Sequence, residues 1–149
     1  MRQIVYALLF RGDARRLGPD GNVVAIQATA PGCALGSTVD GEGLSATLES
    51  HPGGVARWEA ELIMTGGAMF QQTGTVAFGQ PTHGIRVSSV GSGLFDDADG
   101  SGCRLGATIL RIDGGQGQFA GATGAVASLV VLGDGGEVTD HHLGVVYVP

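Results

Sequence analysis

Residues 107–149 read ATILRIDGGQGQFAGATGAVASLVVLGDGGEVTDHHLGVVYVP, and they restrict the fold more than any other stretch of the chain. Residues 107–112 are apolar and β-branched, as a strand requires. Gly114, Gly115, Gly117, Gly121 and Gly124 follow within eleven residues. Each would cost about 1 kcal/mol inside a helix relative to alanine. The segment therefore reads as tight turns and close backbone approaches. Phe119 is its only large side chain and is expected to plug one end of a hydrophobic core. Residues 125–132 resume strand character. Gly133-Asp134-Gly135-Gly136 supplies the positive φ of a hairpin turn, and residues 138–148 form a closing strand.

The rest of the chain repeats this alternation of β-rich run and glycine-rich break. Glycine accounts for 28 of the 149 residues, far above the usual ~7%. It falls between apolar runs rather than in a collagen period. Residues 3–10 (QIVYALLF) are apolar on both alternating sets, which suits a strand covered on both faces. Residues 11–21 are polar and end in the turn Gly18-Pro19-Asp20-Gly21. Residues 22–30 form a strand stopped by Pro31-Gly32, and residues 33–39 and 44–49 are short strands about a turn at 40–43. His51-Pro52-Gly53-Gly54 is a further turn. In residues 55–65, Trp58, Ala60, Leu62 and Met64 alternate with Arg57, Glu59 and Glu61, a clean period of two. The Gly66-Gly67 pair then hairpins into residues 68–78. Residues 85–90 and 104–112 are strands, and residues 94–102 form an acidic loop.

Eight or nine evenly spaced strands with little helix predict an all-β protein: one domain over residues 1–149, a small, mostly antiparallel β-barrel of about eight strands. Closure removes exposed sheet edges. Eight strands leave room for packed side chains or one small ligand.

Composition narrows the function. The formal net charge is −6 and no basic stripe exists, so no nucleic-acid partner is expected. All eight cations are arginines; without lysine there is neither Schiff-base chemistry nor a phosphate-loop lysine. Cys33 and Cys103 make no zinc spacing, and either one bridge or two thiols fits them. The apolar run at residues 4–10 is too short for a signal peptide core with its cleavage site. No stretch reaches the ~20 residues of a membrane helix. A cytoplasmic protein with no membrane partner is expected.

The segment Gly114-Gly115-Gln116-Gly117-Gln118-Phe119-Ala120-Gly121-Ala122-Thr123-Gly124 resembles the C-terminal glycine-rich segment of the allene oxide cyclase and dirigent barrels. Gly114, Gly115, Gly117, Phe119, Gly121 and Gly124 carry the resemblance over about forty residues. Gln116 stands where that family has threonine. The resemblance implies an allene oxide cyclase-like or calycin-like barrel, used by cyclases and by non-catalytic guide proteins alike. It also implies a homo-oligomer, dimer or trimer. A rival reading is the G-x-G-x-x-A form of a dinucleotide fingerprint at Gly115–Ala120. That motif requires a helix next, and a strand pattern follows instead.

Candidate chemistry lies in four places. Asp140 and His142 point the same way on the last strand, where a carboxylate orienting an imidazole makes a general base. His141 points the opposite way, and one of the two histidines must face inward. Glu59, with Arg57 and Glu61, would be an acid–base site on an inward face and a solvated face otherwise. Trp58, Tyr6, Met64, Phe70 and Tyr147 are expected to line a cavity. Arg86 sits at a loop-to-strand junction, where barrel mouths place polar contacts. Asp97-Ala98-Asp99-Gly100-Ser101-Gly102 begins like a calcium loop, but Thr108 occupies the position of the bidentate glutamate. No metal or other cofactor is expected. The function that follows is cofactor-independent isomerisation or cyclisation of a small hydrophobic molecule held in the barrel; a non-catalytic carrier or guide protein is the alternative.

Overall fold

The computed structural model describes residues 1–96 and 102–149. Among these residues nine antiparallel strands form one sheet: β1 (Arg2–Leu17), β2 (Val23–Asp40), β3 (Gly43–Gly66), β4 (Met69–Phe78), β5 (Gly84–Ser89), β6 (Gly93–Asp96), β7 (Arg104–Gln116), β8 (Thr123–Leu132) and β9 (Glu137–Val148). β3 pairs with both β2 and β4, and β1 with both β2 and β9, so the sheet closes on itself. β5 and β6 fill one place in the ring. Each bridges β4 to β7, β5 toward one end and β6 toward the other. The result is a ring of eight strand positions, barrel-like and all-β.

Several strands outrun their sequence signals. β1 continues through the polar residues 11–17, because it pairs with β2 throughout that stretch and with β9 as far as Asp13. β2 crosses Pro31-Gly32 with a bulge between Pro31 and Cys33 rather than ending. β3 runs straight through residues 51–54, where a turn was expected; Gly53 absorbs the distortion at φ 141°. The two short strands expected at residues 33–39 and 44–49 are thus the distal halves of β2 and β3. They form a two-stranded arm that projects past the ring with its side chains exposed. Part of the expected acidic loop is β6. The calcium-like motif lies, except for Gly102, outside the described residues.

Side chains of one parity point inward and are buried: Ile26 on β2, Trp58 and Leu62 on β3, Phe70 on β4, Leu110 on β7, Val130 on β8. A ring this small accommodates large inward side chains where the neighbouring strand has none. Four glycines provide that room. A Cβ on Gly74 would lie 2.6 Å from the Trp58 indole, and one on Gly106 2.7 Å from the Phe95 ring. A Cβ on Gly93 would collide with Phe70, and one on Gly144 with Tyr6. At one end Tyr6, Phe78 and Phe119 stack edge and face, with ring centroids 5.4 and 4.9 Å apart. Phe119 enters this plug from a single 3₁₀ turn, Gly117–Phe119, and is buried as expected.

Adding one methyl group at Gly74 is expected to lower stability by about 1–3 kcal/mol, the usual cost of overpacking. Gly41→Ala, in the open tip of the arm, should stay within about 0.5 kcal/mol of wild type. Urea unfolding followed by Trp58 emission measures both.

Candidate functional site

The middle of the barrel carries a polar layer. Thr108 on β7, Ser128 on β8 and His142 on β9 are consecutive cross-strand partners with buried side chains. Asp140 lies one inward position along β9 from His142. Gln72 approaches from β4 and Trp58 from β3. Trp58 and Asp140 are both 0% exposed.

Asp140 organises the layer. The Trp58 indole N–H donates to its Oδ2 at 3.1 Å, and the Ser128 hydroxyl donates to its Oδ1 at 2.8 Å. The Ser128 oxygen also lies 3.5 Å from Gln72 Oε1, but its one proton serves the shorter contact. His142 Nε2 is 3.3 Å from Asp140 Oδ2. The angle there does not make a hydrogen bond, so both ring nitrogens of His142 lack one. The imidazole is instead held edge-on by aromatic walls, 4.7 Å from Trp58 and 4.8 Å from Phe10 between centroids. Gln72 Nε2, Thr108 Oγ1 and the Tyr6 hydroxyl are likewise buried without a hydrogen-bond partner. Burial, reinforced by the charge of Asp140, raises the Tyr6 pKa well above its ordinary value near 10.

The sequence-derived residues separate into two groups. Trp58, Phe70, Asp140 and His142 are buried in the interior, with Tyr6 and Met64 packed against that core. Glu59, Arg86, His141 and Tyr147 are exposed on the outer wall and do not meet the interior layer. Glu59 shares its outward face with Arg57 and Glu61 because strand parity puts all three opposite Trp58. Arg86 contacts the Asp113 carbonyl at 3.4 Å, beside an Asp113 carboxylate bound by Ser88 and Arg111. Those two bonds hold the Asp113 pKa below its usual value. Gln72, Ser128 and Thr108 were not singled out as site residues from sequence, although each shares strand parity with a buried apolar residue: Gln72 with Phe70, Thr108 with Ile112, and Ser128 with Val126.

Two further features bear on access. Opposite the aromatic plug, Val24, Met64, Phe95 and Leu132 line a recess of about 580 Å³ rimmed by Arg15, Arg16 and Arg104. The Arg104 guanidinium sits 4.5 Å over the Phe95 ring. The glycine-rich segment packs against residues 81–84, and Gly115 and Gln116 also line a cleft of about 260 Å³ there. A Cβ on Gly115 would meet the Gly84 carbonyl at 2.6 Å, Gln116 donates to the Pro81 carbonyl at 2.8 Å, and His83 Nδ1 accepts the Gln118 N–H at 3.0 Å. A strand rather than a helix follows it, so the geometry of a dinucleotide site is missing. Cys33 donates its thiol to the Ala7 carbonyl at 2.8 Å and is not bridged to Cys103. Among the described residues, no three His, Cys, Asp or Glu side chains gather as metal ligands. Among those residues, too, no helix is long and apolar enough to cross a membrane.

No family model, no curated protein and no solved structure matches the chain.

The Tyr6 shift fixes the sign of a pH effect. Above about pH 10 the unfolded chain releases the tyrosine proton while the native state retains it. The native state then binds more protons, and stability falls as pH rises. Tyr6→Phe should flatten that alkaline decline. At neutral pH it should be neutral or stabilising, because the hydroxyl it removes has no partner. Urea midpoints at about pH 8 and about pH 11, spanning the ordinary tyrosine range, measure both effects.

Proposed function

We propose that the chain binds a small hydrophobic molecule within the barrel and isomerises or cyclises it by proton transfer, without a cofactor. One observation carries this reading: polar atoms of His142, Gln72, Thr108 and Tyr6 are buried in the barrel interior without hydrogen-bond partners. Buried polar groups are normally paired, and clusters that are not paired mark sites of chemistry or binding. The recess between Met64 and Phe95 is the route of entry in this account.

A His142 ring nitrogen takes a proton from an acidic carbon of the ligand and returns it at a second atom. Composition is unchanged and no co-reactant is consumed. Asp140, fixed by Trp58 and Ser128, offsets the imidazolium charge while the proton is in transit. Tyr6 keeps its O–H to high pH and donates it to an oxygen on which charge develops. The aromatic walls hold the ligand in one shape, an orientation effect that supplies several kcal/mol in favourable cases.

A carrier or guide protein is the second reading. It is favoured by His142, whose Nε2 lies 3.3 Å from Asp140 Oδ2 without hydrogen-bonding to it, so the carboxylate does not orient the imidazole as a general base.

Two measurements separate the readings. Naphthalene, a neutral bicyclic hydrophobe, is expected to quench Trp58 emission at micromolar concentration. A β,γ-unsaturated cyclic ketone in D₂O should be converted to its α,β-unsaturated isomer with deuterium taken up at the γ-carbon in the presence of the protein. His142→Ala should slow uptake by about 100-fold or more, the usual contribution of a positioned acid–base group. Glu59→Ala should leave it unchanged. Quenching without deuterium uptake supports the carrier; absence of both removes each reading.

A further inference from the structure

The outer wall of the barrel is divided. On β3, Arg57, Glu59 and Glu61 are exposed, as solvent-facing strands usually are. On the other side an apolar row crosses six strands. Leu9, His141, Leu129, Ala107, Leu94 and Met69 are successive cross-strand partners from β1 through β9, β8, β7 and β6 to β4. Ala7, Leu143, Ala127 and Ile109 form a second row beside it. Val5, Val145 and Ala125 begin a third. Val5 is 60% exposed, Leu94 59%, Leu143 53% and Ile109 51%. His141 is the only titratable group among the residues named in these rows, and the third row ends at Arg111, the partner of Ala125. Arg11 and Asp96 bound the patch on one side, Gln3 and Arg111 on the other. An apolar centre with a polar rim is the composition of an interface core.

The projecting arm has the same character on one face. Leu35 pairs with Leu48 and Val39 with Leu44, and all four are exposed. A lone two-stranded hairpin is marginally stable in water, and an apolar one needs a cover. That face continues the wall: Leu9 on β1 and Cys33 and Leu48 on the arm line one cleft of about 310 Å³.

We propose that the apolar wall is covered by the arm of a second copy of this chain, so that copies assemble by exchanging arms. Size supports this occupant. At ~4.8 Å between strands and ~3.4 Å per residue, the wall spans on the order of 500 Å² and the arm face about 250 Å². An arm covers no more wall than its own face, so two reciprocal contacts bury on the order of 1,000 Å² in total, about the least that a specific interface requires. A membrane-spanning barrel would need an apolar band around its whole circumference, and Arg57, Glu59 and Glu61 interrupt it. The inference is independent of the interior site.

Light scattering on the eluting full-length chain is expected to give at least twice the mass of a single copy. Leu48→Asp on the arm and Leu129→Asp on the wall should each reduce it to a single copy, with the strand circular dichroism and buried Trp58 emission retained. Leu48 is exposed and lies outside the barrel core, so that variant tests the proposal even if Leu129→Asp fails to fold. Mixing the two variants should restore assembly in part, because each mixed pair keeps one intact arm-on-wall contact. A wild-type chain of single-copy mass overturns the proposal, as does a Leu48→Asp chain that stays assembled. Flotation of a single-copy chain with phosphatidylcholine vesicles would assign the wall to lipid instead.

Discussion

A carboxylate with no solvent exposure lies in the middle of this barrel, and much of the interior follows from how it is held. An unpaired buried charge is costly enough that removing one partner of such a group typically destabilises a protein by several kcal/mol. Asp140 meets that demand with one hydrogen bond from its neighbouring strand, Ser128 on β8, and one from across the interior, Trp58 on β3. β3 and β9 are not paired in the sheet. The indole bond therefore fixes the spacing between two walls that backbone hydrogen bonds do not join. The indole lies against Gly74 on β4, which must be glycine to admit it. Polar satisfaction on one side of the barrel thus dictates side-chain volume on the other.

The same arrangement leaves His142 in an unusual position. It is enclosed by Phe10 and Trp58, close to Asp140, and hydrogen-bonded to neither a carboxylate nor a backbone group. A structural histidine in a core is ordinarily paired. One held by packing alone keeps both nitrogens available, which suits proton exchange with something that enters the interior. Outside the barrel, the polar and apolar halves of the wall place Glu59 and His141 in quite different surroundings, though neither touches the interior layer.

Fold class was legible because the barrel repeats one simple signal. Period-two alternation in residues 55–65 put Trp58 and Glu59 on opposite faces and left open which face was inward, and Phe119 was legible as the only bulky residue in a glycine-rich segment. Strand ends were not legible. Pro31, Gly32 and residues 51–54 carry strong local turn chemistry, yet β2 and β3 run through them because a long antiparallel partner outweighs it. In the polar layer, Asp140 and His142 showed themselves as titratable groups at i and i+2. Ser128, Gln72 and Thr108 are ordinary strand residues, and only closure of the ring brings them together from separate strands. The outward positions of Tyr147 and Arg86 follow from the same parity, which a cluster of aromatic and basic residue types does not encode.

The central claim is that the interior polar layer is where a ligand meets this protein. Ring-resonance NMR of the four histidines tests it most directly, with naphthalene added to the labelled chain. His142 carbon and nitrogen shifts should move in proportion to occupancy, while those of His51, His83 and His141 stay fixed. Movement of His141 with a static His142 would place the hydrophobe on the outer wall and contradict the account.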